Sequence, residues 1–221
     1  MTDHEKSTRE RYKDDSYAKQ YKIDYVSSMN FKGFKSRVIA KKEISIIDLF
    51  LDEIIKENMS VIDIPCGTGK LGPILSKYPI KIEAADVSKA MLDLAYNEYQ
   101  EDKTKYEIID ATEIPHKNKS FDIVVCLRLF QRLPSDTRRK ILSEFNRVSK
   151  EYLIISYSFS SKWQKIRYKI KKTINKNSPY FFSENKNSII RELNDSGFDV
   201  LQSRLVLKYF SSEIIFLAKK K

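Results

Sequence analysis

The residues that could do chemistry cluster at three points, each at the end of an apolar run. The first is Asp63-Ile64-Pro65-Cys66-Gly67-Thr68-Gly69, directly after Val61-Ile62. Gly67 and Gly69 permit a tight backbone turn and a close approach to a ligand. The loop is not the G-x-G-x-x-G that seats a dinucleotide pyrophosphate, and the acid lies inside the apolar run, where it suits a ligand carrying an ammonium group. A second acid, Asp86, ends the next apolar run 23 residues on (86 − 63), the usual place for a carboxylate that accepts both hydroxyls of a ribose. A third, Asp110, is followed by Ala111 and is placed to face an adenine amine. Amino acid, ribose and adenine follow in that order, and an NAD-dependent dehydrogenase is disfavoured by the loop pattern.

These points need strands to carry them and helices to close the crossovers. Strands are expected at 61–64, 81–85, 106–109, 121–127 and 152–157, with helices over 71–78, 88–100 (Ser88 as N-cap) and 135–149 (Ser135 or Asp136 as cap). Strand and helix alternate, which implies a parallel sheet with helices on both faces. Ahead of it, apolar residues at helical spacing from Ser36 to Lys56 predict a helix pair or one long helix. A helix over 183–195 and two strands, 198–207 and 213–218, joined by a short turn near Ser211, end the sequence; a short turn joins antiparallel neighbours.

VIDIPCGTGK, ADVSKAML, DATEIP and FDIVVCLRLFQRLP, in that order and spacing, resemble the class I S-adenosylmethionine-dependent methyltransferases, in particular their UbiE/UbiG-like small-molecule group. The resemblance covers about residues 35–160 and implies an α/β three-layer sandwich, a seven-stranded mostly parallel sheet with its last strand antiparallel. It implies S-adenosyl-L-methionine as cofactor. Asp63, Pro65, Cys66, Gly67, Thr68 and Gly69 would contact its methionine half and Asp86 its ribose. Val87, Met91, Asp110 and Ala111 would lie near the adenine, with Cys126 and Leu127 at the end of the fourth strand. Arg37 stands where some relatives use an arginine for the cofactor carboxylate; a solvated helix charge is the other reading. Two departures matter: Pro65 replaces the first glycine of the motif, and Gln131 stands in place of the histidine after strand four.

Methyl transfer from a sulfonium is an in-line displacement with a good leaving group, so positioning can supply much of the catalysis. A base is needed only for a weakly acidic hydroxyl or a protonated amine. The sequence offers none clearly: His116 reads as a surface loop residue, and Cys66 and Cys126 as small core fillers rather than a metal or redox pair. Arg128 and Gln131 are the candidate catalytic residues on the acceptor side, where an arginine suggests an anionic group to be oriented. Helix capping and surface charge are the plainer alternative.

Charge supplies the remaining clue. The net charge is +11, and residues 161–177 carry seven basic residues and no acid, leaving 34 basic against 30 acidic elsewhere (41 − 7 = 34). Within that stretch Trp163, Ile166, Ile170 and Ile174 repeat at helical spacing, a basic amphipathic helix. It could act as a lid, lie on an anionic membrane or grip phosphates. The expected organisation is an N-terminal arm, 1–35, and a methyltransferase domain, 36–221, with a basic lid insert at about 159–182. The expected acceptor is a small anionic molecule: a phosphorylated sugar, a glycolipid or a nucleotide-linked metabolite. Nucleic acid is less favoured, because no N/D-P-P-Y/F motif follows strand four. A non-catalytic, cofactor-binding partner subunit of another methyltransferase is the alternative from a different class. Two cysteines, a polar start and no long apolar run point to the cytoplasm, with peripheral contact at the inner membrane face as an extension.

Overall fold

The computed structural model describes residues 31–159, 183–207 and 211–221. The arm before residue 31 and the basic helix expected at 161–177 lie outside the described residues.

The strands β1 (Ser60–Asp63), β2 (Lys81–Asp86), β3 (Thr104–Ile108), β4 (Phe121–Cys126), β5 (Ser149–Ser158), β6 (Phe198–Leu205) and β7 (Glu213–Lys220) form one sheet. Its order is β3-β2-β1-β4-β5-β7-β6. The pairs from β3 through β5 are parallel, and β7 runs antiparallel to both β5 and β6. This is the expected seven-stranded sheet. Alternate strand residues feed two cores. Val61, Ile123, Val125, Ile154, Ile215 and Leu217 face one side, and Ile62, Val124, Cys126, Leu153, Ile155 and Phe216 the other. Both faces of β4 and β5 are thus dry, which is why these strands read as near-continuous apolar runs.

Helices α1 (Phe31–Ile54), α2 (Gly72–Leu75) and α3 (Lys89–Ala95) cover the first face; α4 (Ser135–Val148) and α5 (Lys186–Asp195) cover the second. The three-layer sandwich is therefore present. Helix α1 is one continuous helix rather than a pair, and it starts inside the stretch expected to be arm. Its buried stripe, Ile46, Ile47, Phe50, Leu51 and Ile54, has helical spacing.

Two helices are shorter than expected. Helix α2 is a single turn between Gly72-Pro73 and the turns leading to Pro79. A Cβ on Gly72 would stand 2.2 Å from the Glu98 carbonyl oxygen, so this residue is wedged against the chain that follows α3. Helix α3 is capped by Ser88, whose Oγ accepts the Met91 N–H at 3.3 Å, but it stops at Ala95 instead of Gln100. Stopping there turns Tyr99 inward, where its hydroxyl donates to Asp63. Caps differ too. Pro134, with no side-chain bond, precedes α4, leaving Asp136 in the first turn, where a negative charge suits the helix dipole. Helix α5 begins at Lys186 because Asn185 Oδ1 accepts the Ser188 N–H at 2.9 Å.

Candidate active site

The strand order reverses at β1: the chain goes outward through β2 and β3, then returns to place β4 on β1's other side. A crevice outside the carboxyl ends of β1 and β4 follows from that topology. The loop 63–69 sits there and is sewn to both neighbours. Ile64 N–H donates to Val125 O at 2.9 Å, and Cys66 N–H to Ala85 O at 2.8 Å.

Gly67 and Gly69 both have positive φ, +55° and +80°, but they do different work. A Cβ on Gly67 would meet nothing within 4 Å, so this backbone faces open space. A Cβ on Gly69 would lie 2.7 Å from Glu98 Cβ and 2.9 Å from Ala95 Cα, so this glycine lets the loop seat on the end of α3. Only Gly67 has the openness expected of both.

The two acids are placed differently as well. Asp86 Oδ2 accepts the Gly67 N–H at 3.0 Å and Oδ1 the Ser88 N–H at 2.9 Å, which clamps its carboxylate between the glycine loop and the start of α3. Burial pushes its pKa up to about 6 against those backbone bonds. Asp63 is fully buried beneath the loop, takes the Tyr99 hydroxyl at 2.6 Å and is pushed by burial up to about 7. Ile109 N–H donates to Asp86 O at 3.1 Å, bringing the third acid alongside the second. Asp110 Oδ1 accepts both the N–H (2.9 Å) and the hydroxyl (2.7 Å) of Thr112, a tight turn that fixes Ala111. Met91 is buried under Ser88 and Val87 is half-buried beside it. Cys126 and Leu127 close the end of β4, both buried; Cys66 and Cys126 are free thiols, raised by burial. Pro65 and Thr68 are half-buried on the loop.

Arg128 has a positive φ of +58°, uncommon for a residue with a Cβ. Its N–H donates to Ser156 Oγ at 2.8 Å, and its Nε donates to Glu43 Oε1 at 2.9 Å. Glu43 sits on the buried stripe of α1 with no exposed surface and also pairs with Lys70, the residue after Gly69. Glu213 Oε2, at the start of β7, lies 3.6 Å from Arg128 Nε. Glu43 thus joins α1, the glycine loop and the end of β4 through two cations. Sequence reading passed over it, although its place one turn before Ile46 and Ile47 put a carboxylate on a core-facing stripe. Arg37 is half-buried on the same helix, ahead of Glu43. Gln131 lies in the 3₁₀ turn Phe130–Arg132, and its Oε1 is buried with no hydrogen-bond partner among the described residues. His116 is not the surface residue expected: its side chain is 18% exposed and its Nε2 stands 3.1 Å from Glu83 Oε1.

Comparison with known proteins agrees with this fold. A family described as a methyltransferase domain matches residues 61–152, from β1 to β5. A ubiquinone biosynthesis O-methyltransferase of Coxiella burnetii is 28% identical over 88 residues, 39% of this chain and 38% of that protein. A malonyl-[acyl-carrier protein] O-methyltransferase of Acetivibrio thermocellus is 27% identical over 108 residues, 47% of this chain and 38% of that one. The matches thus span under two fifths of these relatives. Among solved structures, magnesium protoporphyrin IX methyltransferase from Synechocystis PCC 6803 with bound SAH superposes with a TM-score of 0.83 at 18% identity, covering 98% of this chain and all of that one. Residues 61–152 thus match the methyltransferase-domain family, and the chain has the Rossmann-like fold of these solved methyltransferases.

Proposed function

We propose that this protein is an enzyme that transfers a methyl group from S-adenosyl-L-methionine to a small-molecule acceptor. The observation that carries the reading is the Asp86 carboxylate, clamped by Gly67 N–H and Ser88 N–H at the mouth of the β1–β4 crevice. The fit is good on three counts. The carboxylate stands where a ribose diol would need two acceptors, the Gly67 backbone faces open space, and Asp110-Ala111 is fixed at the next strand end. Asp86, Val87, Met91, Asp110 and Ala111 would hold the nucleoside. The loop 65–69, with Asp63 behind it, would hold the amino acid, and Cys126 and Leu127 would wall the sulfur side. When bound, the cofactor supplies a sulfonium methyl; the chain's part is to orient it and exclude water.

Calorimetry with S-adenosylmethionine tests this directly on wild type and Asp86→Ala. A loss of two hydrogen bonds to a charged acceptor should weaken binding by about 100-fold or more. Equal affinities would remove the assignment.

The finer reading is an anionic acceptor, supported by the seven basic residues of 161–177, which we place as a lid on a domain spanning 36–221. Both curated relatives bear the name O-methyltransferase, which supports an oxygen as the methylated atom. Arg128, held by Glu43, would orient the acceptor through the rigid end of β4, and Gln131 would offer its unpaired amide oxygen to it. Charge reversal at Lys165, Lys169 and Lys172 should lower acceptor turnover or liposome binding; if neither changes, the anionic acceptor is discarded. A chain that binds the cofactor yet methylates only with a second protein present would instead be a partner subunit. In this reading the protein works in the cytoplasm. Among the described residues no helix is long and apolar enough to cross a membrane.

A further inference from the structure

On the far side of Asp86 from the crevice, Glu83 of β2, Glu107 of β3 and His116 of the following loop converge. His116 Nε2 is 3.1 Å from Glu83 Oε1 and 3.8 Å from Glu107 Oε2, and one ligand atom from each residue lies within 4.8 Å of the others. Ligands at ~2.0–2.1 Å around a tetrahedral ion stand about 3.3 Å apart, so the measured pair brackets the expected spacing. Two buried atoms there have no hydrogen-bond partner among the described residues: Glu83 Oε1, despite its closeness to the imidazole, and His116 Nδ1. The Glu83 side chain is 9% exposed. Beyond the His116 imidazole, the buried Glu83 Oε1 has no partner among the described residues, a sparse satisfaction that is costly and that a coordinated cation would relieve.

The imidazole is also held in place before any ligand arrives. Arg147 donates to the His116 carbonyl at 2.5 Å and to the Ile114 carbonyl at 2.7 Å, and the ring packs on Phe121 with centroids 5.0 Å apart. Lys105 is the resident cation, paired with Glu107 and 3.9 Å from Glu83 Oε2. Its side chain is 61% exposed, so it can move to solvent, where such a pair is weak.

We propose that Glu83, Glu107 and His116 bind a divalent transition-metal ion of the zinc class at the β2–β3 edge. Two carboxylates and a neutral imidazole balance the ion's charge, the nitrogen–oxygen set suits zinc better than magnesium or calcium, and a water completes four-coordination. The metal pins the 110–116 loop, which carries Asp110 and Ala111, to the sheet. The site does not depend on the methyl-transfer reading.

The test is titration of the chelator-treated full chain with Zn²⁺ by calorimetry, repeated with Co²⁺ by absorption. One equivalent should bind, with a visible tetrahedral Co²⁺ spectrum lacking a thiolate band. Glu107→Gln, at a half-exposed position that leaves the fold intact, and His116→Ala should each weaken binding by at least the ~10–100-fold that loss of an outer-shell partner costs. Lys105→Met should tighten it several-fold, a gain that misfolding cannot produce. The site is overturned by no saturable binding, by unchanged affinity in Glu107→Gln, or by a thiolate band assigning the metal to cysteine.

Discussion

Asp63 and Asp86 are buried carboxylates held by hydrogen bonds, and among the described residues neither is ion-paired. Their pKa values are raised by burial, to about 7 and about 6. For Asp63 the folded pKa lies above the unfolded value near 3.8. The folded state therefore binds its proton more tightly, and the stability this provides is present below pH 3.8 and lost as pH rises through 7. In Asp63→Asn the loss disappears. The variant should gain stability relative to wild type progressively from pH 4 to 7 and keep the gain above 7. Thermal unfolding across that range checks it; a pH-independent difference would contradict it. The glycines separate in the same way. Gly69→Ala should destabilise by about 2–5 kcal/mol, through overpacking on Ala95 and Glu98 plus left-handed strain. Gly67→Ala should cost only ~1–2 kcal/mol of stability while weakening cofactor binding. Denaturant melts and calorimetry on both variants distinguish the roles. The positions of Asp63, Gly67, Asp86 and Asp110 were legible because strand-end spacing dictates them. The Tyr99 bond to Asp63 was not, because it depends on where α3 stops.

At the scale of elements, Glu43 is the joint between α1 and the site. It is fully buried and meets Lys70 and Arg128 from two different loops. Removing one member of such a group leaves buried charge uncompensated, at ~3–5 kcal/mol. Glu43→Gln should lower stability by about that amount, measured by denaturant midpoint, and should also loosen the glycine loop enough to weaken cofactor affinity. A change under ~1 kcal/mol would mean that the cluster is held by something else. Strands and long helices were readable from periodicity, since burial on one or both faces imposes it. Helix ends were not, because caps and tertiary contacts set them: Asn185 caps α5 and starts it later than Ser183. Arg128 was legible as a cation beside the site, but its partner lies 85 positions away on a helix read only for its apolar residues.

Across the whole molecule, the sheet order creates the crevice. The order β3-β2-β1-β4-β5-β7-β6 puts the reversal between β1 and β4, so the loop, Asp86, Asp110 and Cys126 share one end of the sheet. Alternating strands and helices announced the parallel half, and the closing pair of strands followed from a short connection. The metal site was hidden in the sequence because Glu83, Glu107 and His116 follow no ligand spacing; only strand pairing across the β2–β3 edge assembles them. The central claim is that the β1–β4 crevice holds S-adenosylmethionine through Asp86. A crystal structure of the protein with S-adenosylhomocysteine tests it most directly. The account predicts both ribose hydroxyls on the Asp86 carboxylate, the adenine beside Asp110-Ala111 and the amino-acid half over Gly67. A ligand bound elsewhere, or a ribose turned away from Asp86, would contradict it.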